Sequence, residues 1–120
     1  MNLPGTIWVS GSVEGIFEDS NYGGSALISQ CDKITISFGN NGLAEIIFEN
    51  LTLYDPILGI YYTELELFQH IAVSYTYDGK NISLKVWWDS VPNQYWTGKI
   101  ENNKMTLANV FGKTVEFRKI

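Results

Sequence analysis

The sequence is short of several residue types, and each shortage excludes a class of protein. Cys31 is the only cysteine, so the chain has no intramolecular disulfide and no zinc site built from thiolates alone. The 13 acidic residues outnumber the 8 basic ones, the formal net charge is −5, and no lysine or arginine cluster offsets it. Such a chain repels phosphate backbones and anionic membranes. We therefore expect no nucleic-acid partner.

Long apolar runs and targeting segments are also missing. No apolar stretch approaches the roughly 20 residues of a membrane span, so we expect no membrane-spanning segment. Residues 1–5 lack the basic flank and apolar core of a secretory signal. Two origins fit this start: a cytoplasmic protein, or the mature part of an exported protein whose signal was replaced by an initiator methionine.

The composition that is present favours a folded sheet protein. Hydrophobic residues make up 45% of the chain, aromatic residues 14% and charged residues only 18%, which predicts an ordered core. The bias toward aromatic and β-branched residues favours strands over helices. At 120 residues the chain has the length of one domain, which we place at residues 1–120.

Turn-forming segments cut the chain at near-regular intervals, at residues 39–42, 78–81, 101–104 and 111–113. Their glycines and asparagines tolerate the positive φ of tight hairpins, so neighbouring runs should pair antiparallel. Between the turns, apolar and polar residues alternate with the period of a half-buried strand. The clearest case is residues 82–89, in which every second residue up to Trp88 is apolar and falls on one face.

Counting these runs gives eight strands joined in sequence order. Closure removes the exposed edges of such a sheet, which predicts an all-β fold, an eight-stranded antiparallel up-and-down β-barrel. Residues 43–54 read as one run and residues 61–77 as another, with a β-bulge at Gln69 where the apolar parity breaks. Residues 20–32 fit either a loop leading into a long strand or a helical turn near residues 25–30.

The two ends of the chain carry a resemblance. Gly5-Thr6-Ile7-Trp8 and Val115-Glu116-Phe117-Arg118 resemble the opening and closing segments of small lipocalin-like (calycin-type) barrels, in the style of short bacterial domains carried by exported lipoproteins. The resemblance implies a periplasmic or cell-surface address and a small ligand. It also implies structural closure by Trp8 and Arg118, with the guanidinium over the indole, worth about 0.5 to 2 kcal/mol.

Aromatic residues supply the strongest functional signal. By parity Trp88 and Trp96 face inward and, with Tyr75 and Phe117, could line an apolar ligand pocket at the barrel mouth. Filling of the core by the same rings is the alternative. Two polar residues on apolar parity could orient such a ligand, or could turn outward at a bulge: Gln69 and Asn109.

Trp87 and Tyr95 fall on the outward parity of their strands. They could form a partner-binding platform for sugar rings or for a protein. Cross-strand stabilisation of the hairpin is the alternative interpretation.

Titratable residues do not form a recognisable catalytic pattern. His70, the only histidine, shares a parity with Glu64 and Glu66 but has no nucleophile beside it, so we interpret it as part of a solvated strand face. Cys31 has the setting of an inert thiol. We interpret the acidic residues near Glu18 as a charged hairpin end, and we predict no catalytic residue, metal or cofactor.

Two hypotheses for function follow. The first is a non-enzymatic lipocalin-like protein, exported from a bacterium, whose barrel holds a small apolar or amphipathic ligand. The second is a protein-interaction or inhibitor module with a solid core that uses exposed aromatic residues and end loops.

Overall fold

The computed structural model of the protein describes residues 2–14, 19–22, 25–55, 58–62, 70–88, 91–109 and 113–120. These residues form strands and turns, and they contain no helix long and apolar enough to cross a membrane. The strands are β1 (Ile7–Val9), β2 (Val13–Glu14), β3 (Asp19–Tyr22), β4 (Ser25–Cys31), β5 (Lys33–Phe38), β6 (Leu43–Glu49), β7 (Thr52–Asp55), β8 (Ile60–Tyr62), β9 (His70–Tyr77), β10 (Asn81–Trp88), β11 (Val91–Glu101), β12 (Lys104–Ala108) and β13 (Thr114–Lys119).

Eight of these strands close into a barrel in the order β1-β13-β12-β11-β10-β9-β6-β5. Each strand pairs antiparallel with its neighbours, and β1 completes the ring by pairing with both β13 and β5. Because these strands follow one another in the chain, the topology is up-and-down. The predicted all-β, eight-stranded antiparallel barrel is confirmed.

One end of the barrel, here called the hairpin end, is closed by tight turns. The turns take the left-handed backbone that their residues favour: Asn41 has φ 63°, Gly79 has φ 101°, and Asn103 has φ 62°. Asp78 supports its turn, because its Oδ1 accepts hydrogen bonds from the backbone N–H groups of Lys80 and Asn81 at 3.0 and 2.7 Å. Local turn chemistry therefore sets three of the connections at this end.

The opposite end, here called the second-sheet end, carries a structure that the sequence pattern did not predict. Strands β2, β4, β7 and β8 form a second sheet, with β3 paired beside β4. The expected single run 43–54 is split into β6 and β7 at Asn50, whose φ is 54°. The open choice near residues 25–30 is settled as strand, since β4 spans Ser25–Cys31. Gln69 and its predicted bulge lie outside the described residues.

The barrel core follows the predicted alternation. On β5, β6, β12 and β13 every second residue is buried. The largest fully buried side chains include Trp8, Trp96, Phe48 and Phe117. The rings of Phe48 and Trp96 meet edge to face with centroids 6.1 Å apart, an arrangement worth about 0.5 to 1.5 kcal/mol beyond area burial.

The barrel closes differently from the expected stacking of Arg118 on Trp8. The two strands do pair, but Arg118 lies opposite Val9 and shares its outward parity. The Trp8 indole is fully buried, and its Nε1 donates to Thr6 Oγ1 at 3.0 Å. The Arg118 guanidinium instead bonds Glu116 Oε1 at 2.8 Å on the outer surface. The predicted cation–π contact is therefore wrong, and backbone pairing closes the ring.

Candidate functional site

The residues predicted to line a ligand pocket do not converge in the described part of the structure. Trp96 and Phe117 are fully buried in the core, where Phe117 lies opposite Met105 on the neighbouring strand. Tyr75 lies near the hairpin end opposite Leu84. Trp88 is four residues further along β10, or ~13 Å, toward the second-sheet end, and its side chain lies outside what the structure describes.

Tyr75 fastens a turn of the hairpin end. Its hydroxyl donates to the carbonyl of Gly39 at 3.0 Å, and its backbone N–H donates to the carbonyl of Gly42 at 2.8 Å. Its ring meets Phe38 edge to face at 4.9 Å. These contacts give the half-buried ring a structural task independent of any ligand.

Asn109 closes the loop between β12 and β13. It is 7% exposed, its backbone N–H donates to the carbonyl of Lys113 at 2.9 Å, and its Oδ1 accepts from the backbone N–H of Lys113 at 2.9 Å. Of the two interpretations of this residue, the outward turn at a bulge is not what is seen. The buried amide holds a loop, and the prediction that Gln69 joins it at a ligand stays a prediction.

The titratable residues that the sequence singled out lie apart. His70 Nε2 is 3.3 Å from Glu45 Oε2, and both side chains are well exposed on the outer surface. Glu64 and Glu66 lie outside the described residues. Cys31 is buried; burial, followed by the neighbouring Asp32 charge, raises the pKa of its thiol to about 11. No three histidine, cysteine, aspartate or glutamate residues of the described segments come together as metal ligands.

A different group of side chains does converge, on the outside of the barrel. Asn81, Ser83 and Lys85 on β10 lie directly opposite Lys99, Thr97 and Tyr95 on β11. These six residues form three cross-strand pairs on the outward face, here called the Tyr95 face. Facing side chains at such positions have Cβ atoms about 4.5 to 5.5 Å apart, so both members of a pair can contact the same group of a bound partner.

Tyr95 is the aromatic member of this face. Its side chain is 41% exposed, as its outward parity predicted, while the adjacent Trp96 is fully buried, as its inward parity predicted. Trp87, the other predicted platform residue, falls where the pairing of β10 with β11 shifts register between Val86 and Trp88. The side chain of Trp87 lies outside what the structure describes.

Gly98 shapes the wall beneath this face. A Cβ built on Gly98 would lie 1.6 Å from the backbone oxygen of Thr106, so β11 and β12 approach too closely there for any side chain. Gly98 borders two outer grooves, one on each side of the Thr97 and Lys99 ridge. Their volumes are about 510 and 380 Å³. A third groove, of about 460 Å³, lies at the junction with the second sheet beside Cys31.

Acidic and basic residues are unevenly distributed along the chain, and the net charge alone does not show this. Nine of the 13 acidic residues precede Asp78, together with only one basic residue, Lys33; the other seven basic residues follow it. Those seven lie on or beside β10 to β13. Counting charges separately in each half of the chain would have found this concentration of basic residues on one wall of the barrel.

Three other cations of this wall, Lys80, Lys104 and Arg118, lie beside carboxylates. Lys113 and Lys119 resemble the two lysines of the Tyr95 face, because they form no ion pair with a carboxylate of the described residues. Lys80 lies 3.5 Å from Glu101, and Lys104 lies 3.1 Å from Glu116. Lys85 and Lys99 form no ion pair with any carboxylate of the described residues. Their cross-strand partners, Tyr95 and Asn81, are uncharged. The face therefore presents two ammonium groups to the solvent.

Comparison with known proteins does not identify a family for this chain. No protein-family model, curated protein or solved structure matches the chain.

Proposed function

We propose that this protein is a non-enzymatic binding protein, a lipocalin-like barrel that holds its partner on the outer wall at the Tyr95 face. The observation that carries the proposal is the exposed Tyr95 ring, bordered by hydroxyl groups and by two lysines without described acidic partners. Exposed aromatic residues are enriched at interfaces because a flat apolar ring with a polar tip gains contact area at little entropic cost.

The filled core supports a site outside the barrel. Trp8, Trp96 and Phe117 occupy the interior and are fully buried. An eight-stranded barrel has an interior just wide enough for its own side chains. Of the two sequence hypotheses, the interaction module with a solid core is the one that this packing favours.

The wall beneath the face is a rigid support. Leu84 and Trp96 lie opposite each other on its inner side and are both fully buried. On the outer side, the turn that precedes β10 is held by Asp78, whose Oδ2 also accepts from Asn81 Nδ2 at 3.1 Å. A site on packed strands keeps its side chains in position before binding, which lowers the entropic cost of association.

The proposal includes an exported bacterial setting, which comes from the resemblance of residues 5–8 and 115–118 to lipocalin-like lipoprotein domains. Localisation of a tagged copy in host cell fractions would test that part on its own.

Binding to glycan and peptide arrays tests the main proposal. We expect Tyr95→Ala to lose the signal of the wild-type protein while its melting temperature stays nearly unchanged, and Trp87→Ala to weaken it. Ile47→Ala is the matched control, since Ile47 is 39% exposed on β6, outside this face. Wild-type protein that binds nothing, or Tyr95→Ala protein that binds as well as wild type, would contradict the proposal.

A small apolar ligand at the second-sheet end is the second candidate. It is favoured by the second sheet, in which β4 and β7 extend the pairing of β5 with β6 beyond the barrel. Trp88, Gln69 and Asn109 are the residues proposed to contact it. Native mass spectrometry of gently purified protein, with a tryptophan fluorescence titration against lipids, tests this candidate; an empty protein and unchanged fluorescence would exclude it.

A further inference from the structure

We propose that the partner of the Tyr95 face is an anionic polysaccharide whose sugar rings carry carboxylate groups. This inference rests on the proposed function and names the chemistry of its partner. In the bound state a sugar ring lies against Tyr95, and carboxylates of the same chain pair with Lys85 and Lys99.

The uncharged residues of the face suit a sugar chain. Ser83 and Thr97 form the middle pair of the face, between the Lys85 and Tyr95 pair and the Asn81 and Lys99 pair. A hydroxyl group both donates and accepts, and an amide offers both functions on separate atoms. Sugar hydroxyls need such two-way partners, whereas a simple anion needs only donors. The Tyr95 ring supplies the flat apolar surface for the ring carbons.

The two lysines suit an extended anion. Lys85 belongs to the Tyr95 pair, and Lys99 lies four residues beyond Tyr95 on β11, or ~13 Å along the strand. One small anion could contact both ammonium groups only if the two lysine side chains extended toward each other over the middle of the face. A polymer with a charge on each repeating unit can contact both ammonium groups, and its bound counterions are released when lysines replace them.

The grooves on either side of the ridge offer further polar groups to a sugar chain. The larger groove is lined by polar side chains that include Thr76, Asn81 and Ser83, and the smaller by Thr106 and Lys104. A chain that lies along β11 from Tyr95 to Lys99 would pass over Thr97, with one groove on each side of it. The grooves also expose carboxylates, at Asp78 and Glu101, which accept hydrogen bonds from sugar hydroxyls but repel a polymer whose charges are as closely spaced as those of a nucleic acid.

Two other polyanions fit the face less well. Nucleic acid binding needs a dense basic surface, and only two of the six residues of the face are cations. An acidic protein would bury an apolar centre rich in aromatic residues. Of the six residues that define the face, Tyr95 alone offers such a surface.

Calorimetric titration with an oligomer of galacturonic acid tests the inference, using the full chain at low and high salt. We expect binding that weakens with salt, a loss of about fivefold or more in Tyr95→Ala, and a loss of about two- to fivefold in each of Lys85→Ala and Lys99→Ala. Lys85→Arg should retain most of the affinity. Lys33→Ala is the matched control, since Lys33 pairs with Glu49 at 3.5 Å away from this face.

Two further probes separate the outcomes. A neutral glucose oligomer of equal length should bind weakly, and poly-glutamate should bind weakly as well. Equal binding of poly-glutamate would show that the face recognises negative charge alone. Unchanged binding in both lysine variants would show that negative charge does not contribute to recognition. Either result overturns the inference, as does folded wild-type protein that ignores the galacturonic acid oligomer.

Failure of this inference is distinguishable from failure of the proposed function. If the arrays reveal a peptide or a neutral glycan that depends on Tyr95, the outer-wall function stands and the anionic polysaccharide does not. If Tyr95→Ala changes no binding at all, both are contradicted. Thermal melts of each variant establish that the loss reflects the surface and not unfolding.

Discussion

The two ends of this barrel are built by different physics. At the hairpin end, short turns join consecutive strands, and Asn41, Gly79 and Asn103 adopt the left-handed backbone their turns require. At the second-sheet end, β2, β4 and β7 pair through contacts between distant parts of the chain. Local rules determine the first end, whereas the second depends on which strands meet. The difference explains why one end could be read from the chain and the other could not.

The ends also differ in how they are closed. The hairpin end is filled by Leu3, which is 1% exposed, and the following Gly5 donates its backbone N–H to the carbonyl of Phe38 at 2.8 Å. The second-sheet end is bordered by Leu51, which is 2% exposed, where β6 gives way to β7. Both leucines are core residues outside the strands: Leu3 precedes β1, and Leu51 lies in the connection between β6 and β7.

Truncation of these two leucines gives the largest effect. We expect Leu3→Ala and Leu51→Ala each to lower the free energy of unfolding by about 2 to 5 kcal/mol, because each leaves a cavity in a packed region. Urea denaturation measures both, with Leu58→Ala, at 62% exposed, as the surface control. If Leu3→Ala matched the surface control, the hairpin end would not be sealed by its amino-terminal segment.

Removal of the Asn109 amide tests the loop at the second-sheet end. Asn109→Ala should cost about 1 to 3 kcal/mol, since it deprives the Lys113 N–H of the acceptor seen at 2.9 Å. Asn109→Asp keeps an acceptor oxygen and should retain more of the stability. Equal losses in the two variants, measured by chemical denaturation, would mean that the hydrogen bond is not what the side chain contributes.

Alkaline pH should weaken the second-sheet end through Cys31. Burial raises the pKa of its thiol from 9.0 to about 11, so the folded state favours the protonated form. The related stability is fully present below pH 9.0 and is lost as the pH rises toward 11. Melting temperatures across this range, with Cys31→Ala as the comparison, measure the effect. An identical alkaline decline in both proteins would assign it to other groups.

Acid pH should weaken the hairpin end through Asp78, with the smallest effect. Hydrogen bonds from Asn81, backbone first, and then from Lys80 lower the pKa of Asp78 below its usual 3.8. The related stability is present above pH 3.8 and is lost as the pH falls through the lowered value. Asp78→Asn should therefore melt at a lower temperature at neutral pH and lose less on acidification.

Among the described carboxylates, Glu116 should contribute to the acid sensitivity that remains in that variant. Its pKa is lowered chiefly by the hydrogen bond from Lys104 and also by Arg118. If the wild-type and Asp78→Asn proteins lost the same melting temperature between neutral pH and values below 3.8, the Asp78 turn would not be the acid-sensitive part.

Periodicity predicted well which face of a single strand each residue occupies. The outward position of Tyr95 and the inward position of Trp96 are both confirmed, because alternate side chains of one strand must point to opposite faces. Alternation does not say which residues meet across strands. Arg118 was matched to Trp8 through the resemblance to lipocalin-like barrels, but the register puts it opposite Val9. The alternation within one strand determines which face a residue occupies, but the register between two strands determines which residues contact each other.

The candidate site shows the same division. Tyr95 was recognisable as an outward aromatic residue, yet its neighbours Lys85 and Lys99 were not, since they lie 10 residues before Tyr95 and four after it in the chain. Pairing of β10 with β11 brings them to one face. The close approach of Gly98 to the backbone of Thr106 is likewise invisible in a linear pattern.

Composition, turn residues and alternation were sufficient for an all-β barrel of eight antiparallel strands, because hairpin formation and one-sided burial are local requirements that each segment meets by itself. Tertiary structure alone decided the second sheet, the partner of Arg118 and the grouping of lysines around Tyr95. These depend on register and on bends at Asp32 and Asn50, where small backbone changes redirect whole strands. Such outcomes arise only when distant segments compete for the same hydrogen bonds.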